Sequence, residues 1–333
     1  MGATNSLLAR VLLVVFFGLA GMASAQEGTI TYEPAAGAGQ GKHIVFVCGE
    51  WEYRCEESLP MLAKILAKRH GFKCTVLFSM NPKDGTVDPS VKNNIPGMSV
   101  LKNADMMVLF AMDLTLPDEQ MKPFVEFLKT GKPVFGIRCT LLSFRYDKNS
   151  PYARFDVGNG GYATELFGES WKGHYGGHGK ESTRGLRAGL NEAHPILNGV
   201  HDVWGPTDVY QVTKLPPDAT VLMYGQVLTG MKPDDRPNFQ KSIMPMVWTR
   251  QIQRDSGKIQ RVVMSTIGAA PDMESEDLRR LYVNSIFWAL GRESGIPQKA
   301  DVRYIGGDWK ASPFGGGTFH HGLKPGDFAV KGE

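Results

Sequence analysis

The chain has 333 residues, 42% of them hydrophobic and 21% charged, a composition that excludes a disordered protein because the apolar content can form a core. Lys and Arg number 37 against 34 Asp and Glu, a formal charge of +3, which gives no electrostatic reason to expect a nucleic-acid partner. The 39 glycines follow no period, which excludes collagen-like and repeat architectures.

The first 25 residues have the features of a cleaved signal peptide. Arg10 precedes the apolar run 11–20, and the small residues of Ala23-Ser24-Ala25 predict cleavage before Gln26. The apolar run is short for a membrane anchor, and no other candidate span follows it. We therefore expect an exported protein, periplasmic or extracellular, that has no membrane span after cleavage.

In chain order, a Gly/Ala-rich linker (26–41) is expected to lead into alternating strands and helices. The predicted strands are 43–48, 72–78, 106–111 and 133–137, and the predicted helices between them are 56–70 and 117–130. The first strand is almost entirely apolar, as in a parallel strand that is buried on both faces. This order predicts a doubly wound, mainly parallel α/β sheet with functional groups at the carboxyl ends of its strands.

The second half of the chain is less regular. Residues 155–179 show no period and are expected to form a long loop over the sheet. Further strands are predicted at 208–213, 219–224, 244–249 and 260–266, and a last helix at 275–290. One large domain is therefore expected over 42–295, followed by a Gly/Pro-rich tail over 296–333.

The four cysteines do not have the spacing of a metal site. Cys48 and Cys74 lie in apolar strand-like runs, where a small buried thiol is the expected role. One disulfide bridge that includes Cys55 is possible, but the spacing does not assign its partner.

The strongest chemical motif is a loop that contains His174, His178 and three glycines within residues 174–179. Imidazoles titrate near neutral pH and can act as general acid and base or bind a divalent metal such as zinc. The glycines argue against a helix, which weakens the zinc signal of the i,i+4 spacing. The alternative is a surface loop with solvated histidines.

Charged groups also follow three of the predicted strands. Glu50 could be a base or a metal ligand, or it could cap the following helix. Asp113 could reach the same crevice or anchor the next helix. Arg138 could hold an anionic or hydroxyl-rich ligand, or it could form a buried ion pair.

Three further positions are expected to contribute to substrate binding. Asp208 and Tyr210 share one face of a predicted strand. Trp51 could stack on the apolar face of a sugar ring, although large aromatic residues more often pack in a core.

Five stretches resemble the ThuA-like (trehalose-utilisation) proteins. They are Asp113–Met121, Gly131–Arg138, Trp171–Gly179, His194–Val200 with Asp208–Tyr210, and Gly268–Glu276. The resemblance runs from about residue 43 to 296 and implies a single domain with the flavodoxin-like fold of the class I glutamine amidotransferase-like superfamily. The tail is similar to that of a secreted subgroup common in planctomycete-like bacteria.

The chain departs from this superfamily at the position of its catalytic cysteine. An active amidotransferase carries Gly-Ile-Cys at the turn after this strand, whereas Arg138 follows Gly136-Ile137 here and Cys139 comes one residue late. We therefore expect no glutaminase activity. Leu142 stands where close relatives often have a histidine, which puts catalytic roles carried over from them in doubt.

Together these residues predict an exported enzyme that acts on a carbohydrate or an oxidised (3-keto) glycoside by hydrolysis or acid/base lyase chemistry, with zinc as a possible cofactor. The expected catalytic residues are Glu50, His174 and His178, and the expected substrate-binding residues are Trp51, Asp113, Arg138, Asp208 and Tyr210. The alternative is a non-catalytic sugar-binding or assembly module. The exact substrate and the oligomeric state stay open.

Overall fold

The computed structural model describes residues 24–330. The predicted signal peptide lies outside the described residues except for Ser24 and Ala25, which belong to a short edge strand. No helix within 24–330 is both long and apolar enough to cross a membrane.

The domain contains one sheet of eleven strands and four α-helices within the described residues. The strands are β1 Ser24–Gln26, β2 Thr29–Tyr32, β3 His43–Gly49, β4 Lys73–Phe78, β5 Met106–Ala111, β6 Val134–Ile137, β7 Thr183–Arg187, β8 Val203–Gly205, β9 Ala219–Val227, β10 Met244–Gln253 and β11 Ile259–Ser265. The helices are α1 Cys55–His70, α2 Asp118–Lys129, α3 Gly161–Phe167 and α4 Glu276–Ala289.

The sheet is parallel at its centre and antiparallel on both flanks. Its strand order is β1-β2-β4-β3-β5-β6-β11-β10-β9-β7-β8. The pairs from β4 to β11 are parallel, and the pairs on either side of them are antiparallel. The prediction of a single α/β domain is confirmed, and the parallel arrangement holds for the centre of the sheet. The flavodoxin-like, doubly wound topology stays a prediction.

Helices cover both faces of the central strands because successive side chains of a strand point to opposite faces. Phe46 of β3 packs in one apolar cluster with residues of α1 and α4, while its neighbour Val47 packs in a second cluster with residues of α2 and α3. Helix α1 ends at Gly71, whose left-handed φ of 76° allows the chain to turn directly into β4. The carboxyl ends of the parallel strands therefore lie at the same edge of the sheet, and the loops that follow these strands can meet there.

Two predicted segments differ from the structure. The strand predicted at 208–213 is wrong, because its backbone pairs with residues 173–176 of a loop rather than with a sheet strand, and only an isolated bridge between His174 and Tyr210 forms. The loop predicted at 155–179 contains α3, which covers the sheet with Leu166 and Phe167.

The segments at the two ends of the domain are also attached to it. Within the predicted linker, residues 29–32 form β2, where Ile30 and Tyr32 are fully buried. In the predicted tail, Val302 is buried and the carbonyl of Phe328 accepts a hydrogen bond from Tyr32. The tail therefore packs against the domain along much of its length.

Candidate functional site

The loop between β3 and α1 is folded around the carboxylate of Glu50. This carboxylate accepts hydrogen bonds from the backbone N–H groups of Glu52, Tyr53 and Cys55 at 2.7–2.8 Å. Glu50 is fully buried, and burial raises its pKa while the three N–H groups oppose that shift. The structure therefore places Glu50 as a support of the loop and, through Cys55, of the first turn of α1, and its contacts give it no place beside the histidines.

The loop that contains His174 and His178 is attached to the segment before Tyr210. The N–H of Tyr175 donates to the carbonyl of Val209 at 3.0 Å, and the N–H of Gln211 donates to the carbonyl of Gly173 at 2.9 Å. Glycine is required in this loop, because a Cβ at Gly176 would lie 2.7 Å from the Cβ of Asp208. The close approach brings both imidazoles to one carboxylate.

Asp208 binds both histidines of the loop. Its Oδ2 lies 2.6 Å from Nδ1 of His174, and its Oδ1 lies 3.0 Å from Nδ1 of His178. The carboxylate is fully buried, whereas the two imidazoles are 30% and 36% exposed. Burial alone would raise the pKa of Asp208, but the hydrogen bonds from the two histidines and the charge of Arg138 outweigh it and lower this pKa. Asp208 is therefore an ionised, fixed acceptor below two partly exposed rings.

His178 lies between two carboxylates. Its Nε2 is 2.9 Å from Oε1 of Glu52, opposite the nitrogen that faces Asp208. The hydrogen bond to Asp208 and the charges of both carboxylates raise the pKa of His178 despite its partial burial. This arrangement favours the imidazolium form. The Nε2 of His174, in contrast, makes no hydrogen bond within residues 24–330.

Aromatic rings enclose the pair of imidazoles, whose centroids are 4.4 Å apart. Trp171 and Tyr210 meet His174 edge to face at 5.9 and 5.4 Å. Tyr53 lies on the other side, with its ring centroid 6.2 Å from that of His178. The Phe314 ring, from the C-terminal tail, lies 5.6 Å from His178. The two partly exposed imidazoles are thus surrounded mainly by aromatic rings.

Arg138 lies beneath this pair, directly after β6. Its backbone has a left-handed φ of 44°, a strained conformation for a residue with a side chain. The guanidinium is fully buried between the rings of Tyr53 and Tyr210, at 4.1 and 4.7 Å from their centroids. Its Nη1 donates to Thr207 and to the carbonyl of Asp208. Arg138 thus positions the backbone that carries Asp208.

Cys139 follows Arg138 and is fully buried. Burial raises the pKa of its thiol well above the ordinary value. A nucleophilic cysteine needs an accessible thiolate, and this residue provides neither the access nor the charge. Cys139 therefore has no exposed thiolate for nucleophilic attack, and the absence of glutaminase activity stays a prediction.

Two predicted substrate-binding residues make their contacts elsewhere. Asp113 accepts a hydrogen bond from Arg145 at 2.7 Å and lies 3.7 Å from the ammonium group of Lys92. The Trp51 ring is 5.5 Å from the same ammonium group and is packed closely by Gly316 of the tail. The structure thus brings together Arg138, His174, His178, Asp208 and Tyr210 but gives Asp113 and Trp51 no contact with the histidines in the described residues.

Two residues that contact His178 were not predicted from the sequence. Glu52 is two positions after Glu50 in the loop that follows β3, so the rule that functional groups follow parallel strands could have predicted it as well. Phe314 lies 136 residues beyond His178, and no local pattern predicts that contact.

A metal ion could be held by His174, His178 and Asp208, whose candidate ligand atoms all lie within 4.8 Å of one another. Two imidazoles and a carboxylate are a donor set that zinc accepts, with bonds of about 2.0–2.2 Å. Nδ1 of His174 and Oδ2 of Asp208 are 2.6 Å apart, the length of a direct hydrogen bond. These two atoms would have to move apart for an ion to bind between them. The donor types therefore fit zinc.

Comparison with known proteins identifies the family. Residues 44–289 match the family model described as ThuA, trehalose utilisation, and no curated protein matches the chain. A solved structure from Parabacteroides merdae ATCC 43184, described as ThuA-like, is 14% identical, with 75% of this chain and 90% of that chain covered and a TM-score of 0.47. Another, from Bacteroides uniformis ATCC 8492 and also described as ThuA-like, is 18% identical, with 79% and 97% covered and a TM-score of 0.44. Because the family model matches well over half of the 333 residues, the chain belongs to the ThuA (trehalose utilisation) family.

Proposed function

We propose that this protein is an exported enzyme that acts on a carbohydrate or an oxidised (3-keto) glycoside by acid–base chemistry. The family's description supports a sugar as the substrate class, and the signal-like residues 1–25 support export. The reaction class is supported by the geometry of the two histidines.

One observation carries the proposal, namely the buried Asp208 carboxylate that accepts a hydrogen bond from Nδ1 of both His174 and His178. A carboxylate on one nitrogen of an imidazole fixes the ring's orientation and tautomer and leaves the opposite nitrogen to act. A packing role alone would not require two partly exposed imidazoles on a single buried charge. The arrangement is suited to proton transfer.

The two histidines differ in what their Nε2 atoms meet, and this suggests distinct roles. His174 has a free Nε2 that can accept a proton from substrate. Asp208 and Glu52 raise the pKa of His178 and favour its imidazolium form, and the ring can donate a proton from Nε2 when the leaving oxygen takes the place of Glu52. A ring with a free Nε2 beside a ring that lies between two carboxylates can supply a general base and a general acid.

For a 3-keto glycoside, this pair would catalyse an elimination. The carbonyl at C3 acidifies the C2–H bond, so His174 takes that proton and the electron pair forms a C1=C2 bond. The C1–O glycosidic bond then breaks, and the leaving oxygen takes a proton from His178. The products are an unsaturated keto sugar and an alcohol. Addition of water across C1=C2 would complete a net hydrolysis.

The surrounding residues would orient the sugar. The partly exposed rings of Trp171 and Phe314 present apolar surfaces that suit the C–H faces of a sugar ring, whereas the Tyr210 ring is buried. Arg138 acts from below by fixing Asp208 and Tyr210. The substrate contacts predicted for Trp51 and Asp113 stay predictions, since neither residue touches the histidines.

Zinc stays a proposed cofactor. His174, His178 and Asp208 would hold it in an arrangement that replaces the proton transfer above, because a ligating imidazole must be neutral, and it would supply a Lewis acid to polarise a substrate oxygen.

The proposal is tested by following trehalose and its 3-keto derivative by NMR in the presence of the protein, with and without added zinc. We expect new sugar resonances that are lost with His174→Ala and His178→Ala. His201→Ala is the matched control, because His201 is exposed and lies outside the site. Broadened sugar resonances without turnover would instead support a non-catalytic sugar-binding module. If the protein neither converts nor binds either sugar, the proposed substrate class is contradicted.

A further inference from the structure

We propose that Cys48 and Cys55 are joined by a disulfide bridge in the exported protein. Cys48 lies in β3 and Cys55 is the first residue of α1. Both are buried, and their sulfur atoms lie within 4.8 Å of each other. They are the two cysteines that flank the loop of Glu50, Glu52 and Tyr53.

The positions of the two side chains follow from the fold. Cys48 packs on the same side of β3 as Phe46, in the cluster that contains α1, and Cys55 begins the helix that covers this side. The two thiols therefore point into one space. In the structure they are not bonded, and rotation of the side chains about their Cα–Cβ bonds would be needed to reach the S–S bond length of about 2.0 Å.

The carboxylate of Glu56 lies within 4.8 Å of the two sulfurs, so the three side chains could instead form a buried metal site. A metal would require three deprotonated ligands. Burial and the nearby Glu50 raise the pKa of Glu56 to about 8, and burial raises the pKa of both thiols. No fourth ligand of the types that bind such ions joins the group within residues 24–330. A disulfide removes two buried S–H groups without adding charge, so the surroundings favour the bridge.

The bridge would form by thiol–disulfide exchange with a disulfide-donating oxidant of the exporting compartment. The two thiols lose two protons and two electrons as the S–S bond forms, and the oxidant's disulfide is reduced to a dithiol. Because both sulfurs are buried in the folded protein, we expect exchange before the loop closes over them. Folded, reduced protein should therefore resist oxidation.

The bridge would fasten both ends of the loop from which Glu52 reaches His178. It would add a covalent constraint to the hydrogen bonds that Glu50 makes inside the loop. Formation in the cell rests on the proposed export, whereas formation in vitro depends only on the geometry.

Trypsin provides a direct test, because it cleaves after Arg54, between the two cysteines. The exported protein is purified without reductant, unfolded, alkylated with iodoacetamide and digested. We expect the peptides 43–54 and 55–64 to be recovered as one disulfide-linked species, with Cys74 and Cys139 alkylated. Two alkylated cysteines per chain rather than four is the corresponding intact-mass result.

A second experiment separates the geometry from export. Reduced protein is unfolded and refolded in glutathione redox buffer, and the same peptides are analysed. If Cys48 and Cys55 are bridged in the refolded protein but all four thiols are alkylated in the protein from cells, the two cysteines are close enough to bond. The proposed bridge in the exported protein would then be refuted. Four alkylated thiols in both experiments, or a bridge to Cys74 or Cys139, would overturn the inference. So would stoichiometric zinc that is lost in Cys55→Ser but retained in Cys74→Ser.

Discussion

The Nε2 atom of His178 lies 2.9 Å from Oε1 of Glu52, so an imidazole of the glycine-rich loop meets a carboxylate of the loop after β3. The opposite nitrogen of the same ring faces Asp208 at 3.0 Å. Because each contact stabilises the charged form of the ring, the protonation of His178 reports the geometry of the whole site.

Replacing Glu52 by glutamine is expected to lower the pKa of His178. The charge of Glu52 contributes to the raised pKa, although the hydrogen bond to Asp208 contributes more, so the pKa should fall by less than in an Asp208 variant. An NMR titration of the His178 ring protons measures this change. An unchanged pKa would show that Glu52 and His178 do not interact in solution.

Glu50→Gln should act on stability rather than on His178. An amide can no longer accept all three backbone N–H hydrogen bonds of the loop, and buried donors left unpaired cost about 1–3 kcal/mol each. We expect the free energy of unfolding to fall by about 2–4 kcal/mol in urea denaturation. Glu52→Gln, with its partly exposed side chain, serves as the comparison and should lose less than about 1 kcal/mol.

Asp208→Asn is expected to remove most of the activity in the turnover assay. The amide would disturb the tautomer and orientation of both histidines, for which losses of about 10²–10⁴-fold are typical of general acid–base residues. Asp202→Asn is the control, because Asp202 is exposed and pairs with Arg184 away from the site. Activity that survives in Asp208→Asn would refute the role proposed for the histidine pair.

The pKa shifts of Asp208 and His178 predict a pH window in which their interaction stabilises the fold. The lowered pKa of Asp208 contributes stability that is present above the unfolded value of about 3.8 and is lost as the pH falls through the folded pKa. The raised pKa of His178 contributes stability that is complete below about 6.5 and is lost as the pH rises through the folded pKa. The difference in stability between the native chain and Asp208→Asn should therefore be largest between about pH 4 and 6.5. Urea denaturation across this range measures it, and a difference that grew above pH 8 would contradict the ion pair.

The central strands could be predicted because their sequences are almost continuously apolar. The predicted strand 106–111 coincides with β5, and 43–48 differs from β3 by one residue. Strands β7 and β8 were missed because the first contains two arginines and a glycine, while the second has only three residues. Such strands take their conformation from pairing with neighbours, which a single sequence does not show.

The candidate site was predictable in part for a related reason. Residues at the ends of parallel strands, such as Arg138, and the paired histidines of a glycine-rich loop carry signals in the sequence. The pairing of Tyr210 with the histidine loop carries no such signal, because the β-branched and aromatic residues of 208–213 are also typical of a sheet strand. The contact of Phe314 with His178 depends on the path of a long irregular tail.

That tail is fastened beside the site by Arg54, and Arg54→Met should release it. The buried guanidinium donates to the carbonyl groups of Pro313 and Gly315 and to the hydroxyl of Thr318. We expect at least tenfold faster hydrogen exchange at the amide of Gly315 and a shift of the His178 ring resonances, since Phe314 would no longer lie against that ring. Arg69→Met is the matched control, because Arg69 also binds tail carbonyl groups, at Arg303 and Tyr304. Equal effects in both variants would show that the tail loosens as a whole.

Glu56 should make the protein less stable as the pH rises. Burial raises its pKa from 4.5 to about 8, with Glu50 adding to this and Arg54 opposing it. A group whose folded pKa is raised contributes stability that is complete below its unfolded pKa and is lost as the pH rises through the folded pKa. Glutamine mimics the protonated carboxyl, so Glu56→Gln should gain stability relative to the native chain between about pH 5 and 8, on the order of 2–4 kcal/mol. Urea denaturation at pH 5, 6.5 and 8 measures this gain, and Glu165→Gln, at an exposed position, should show none. A difference that did not change with pH would mean that Glu56 ionises as freely in the folded chain as in the unfolded one.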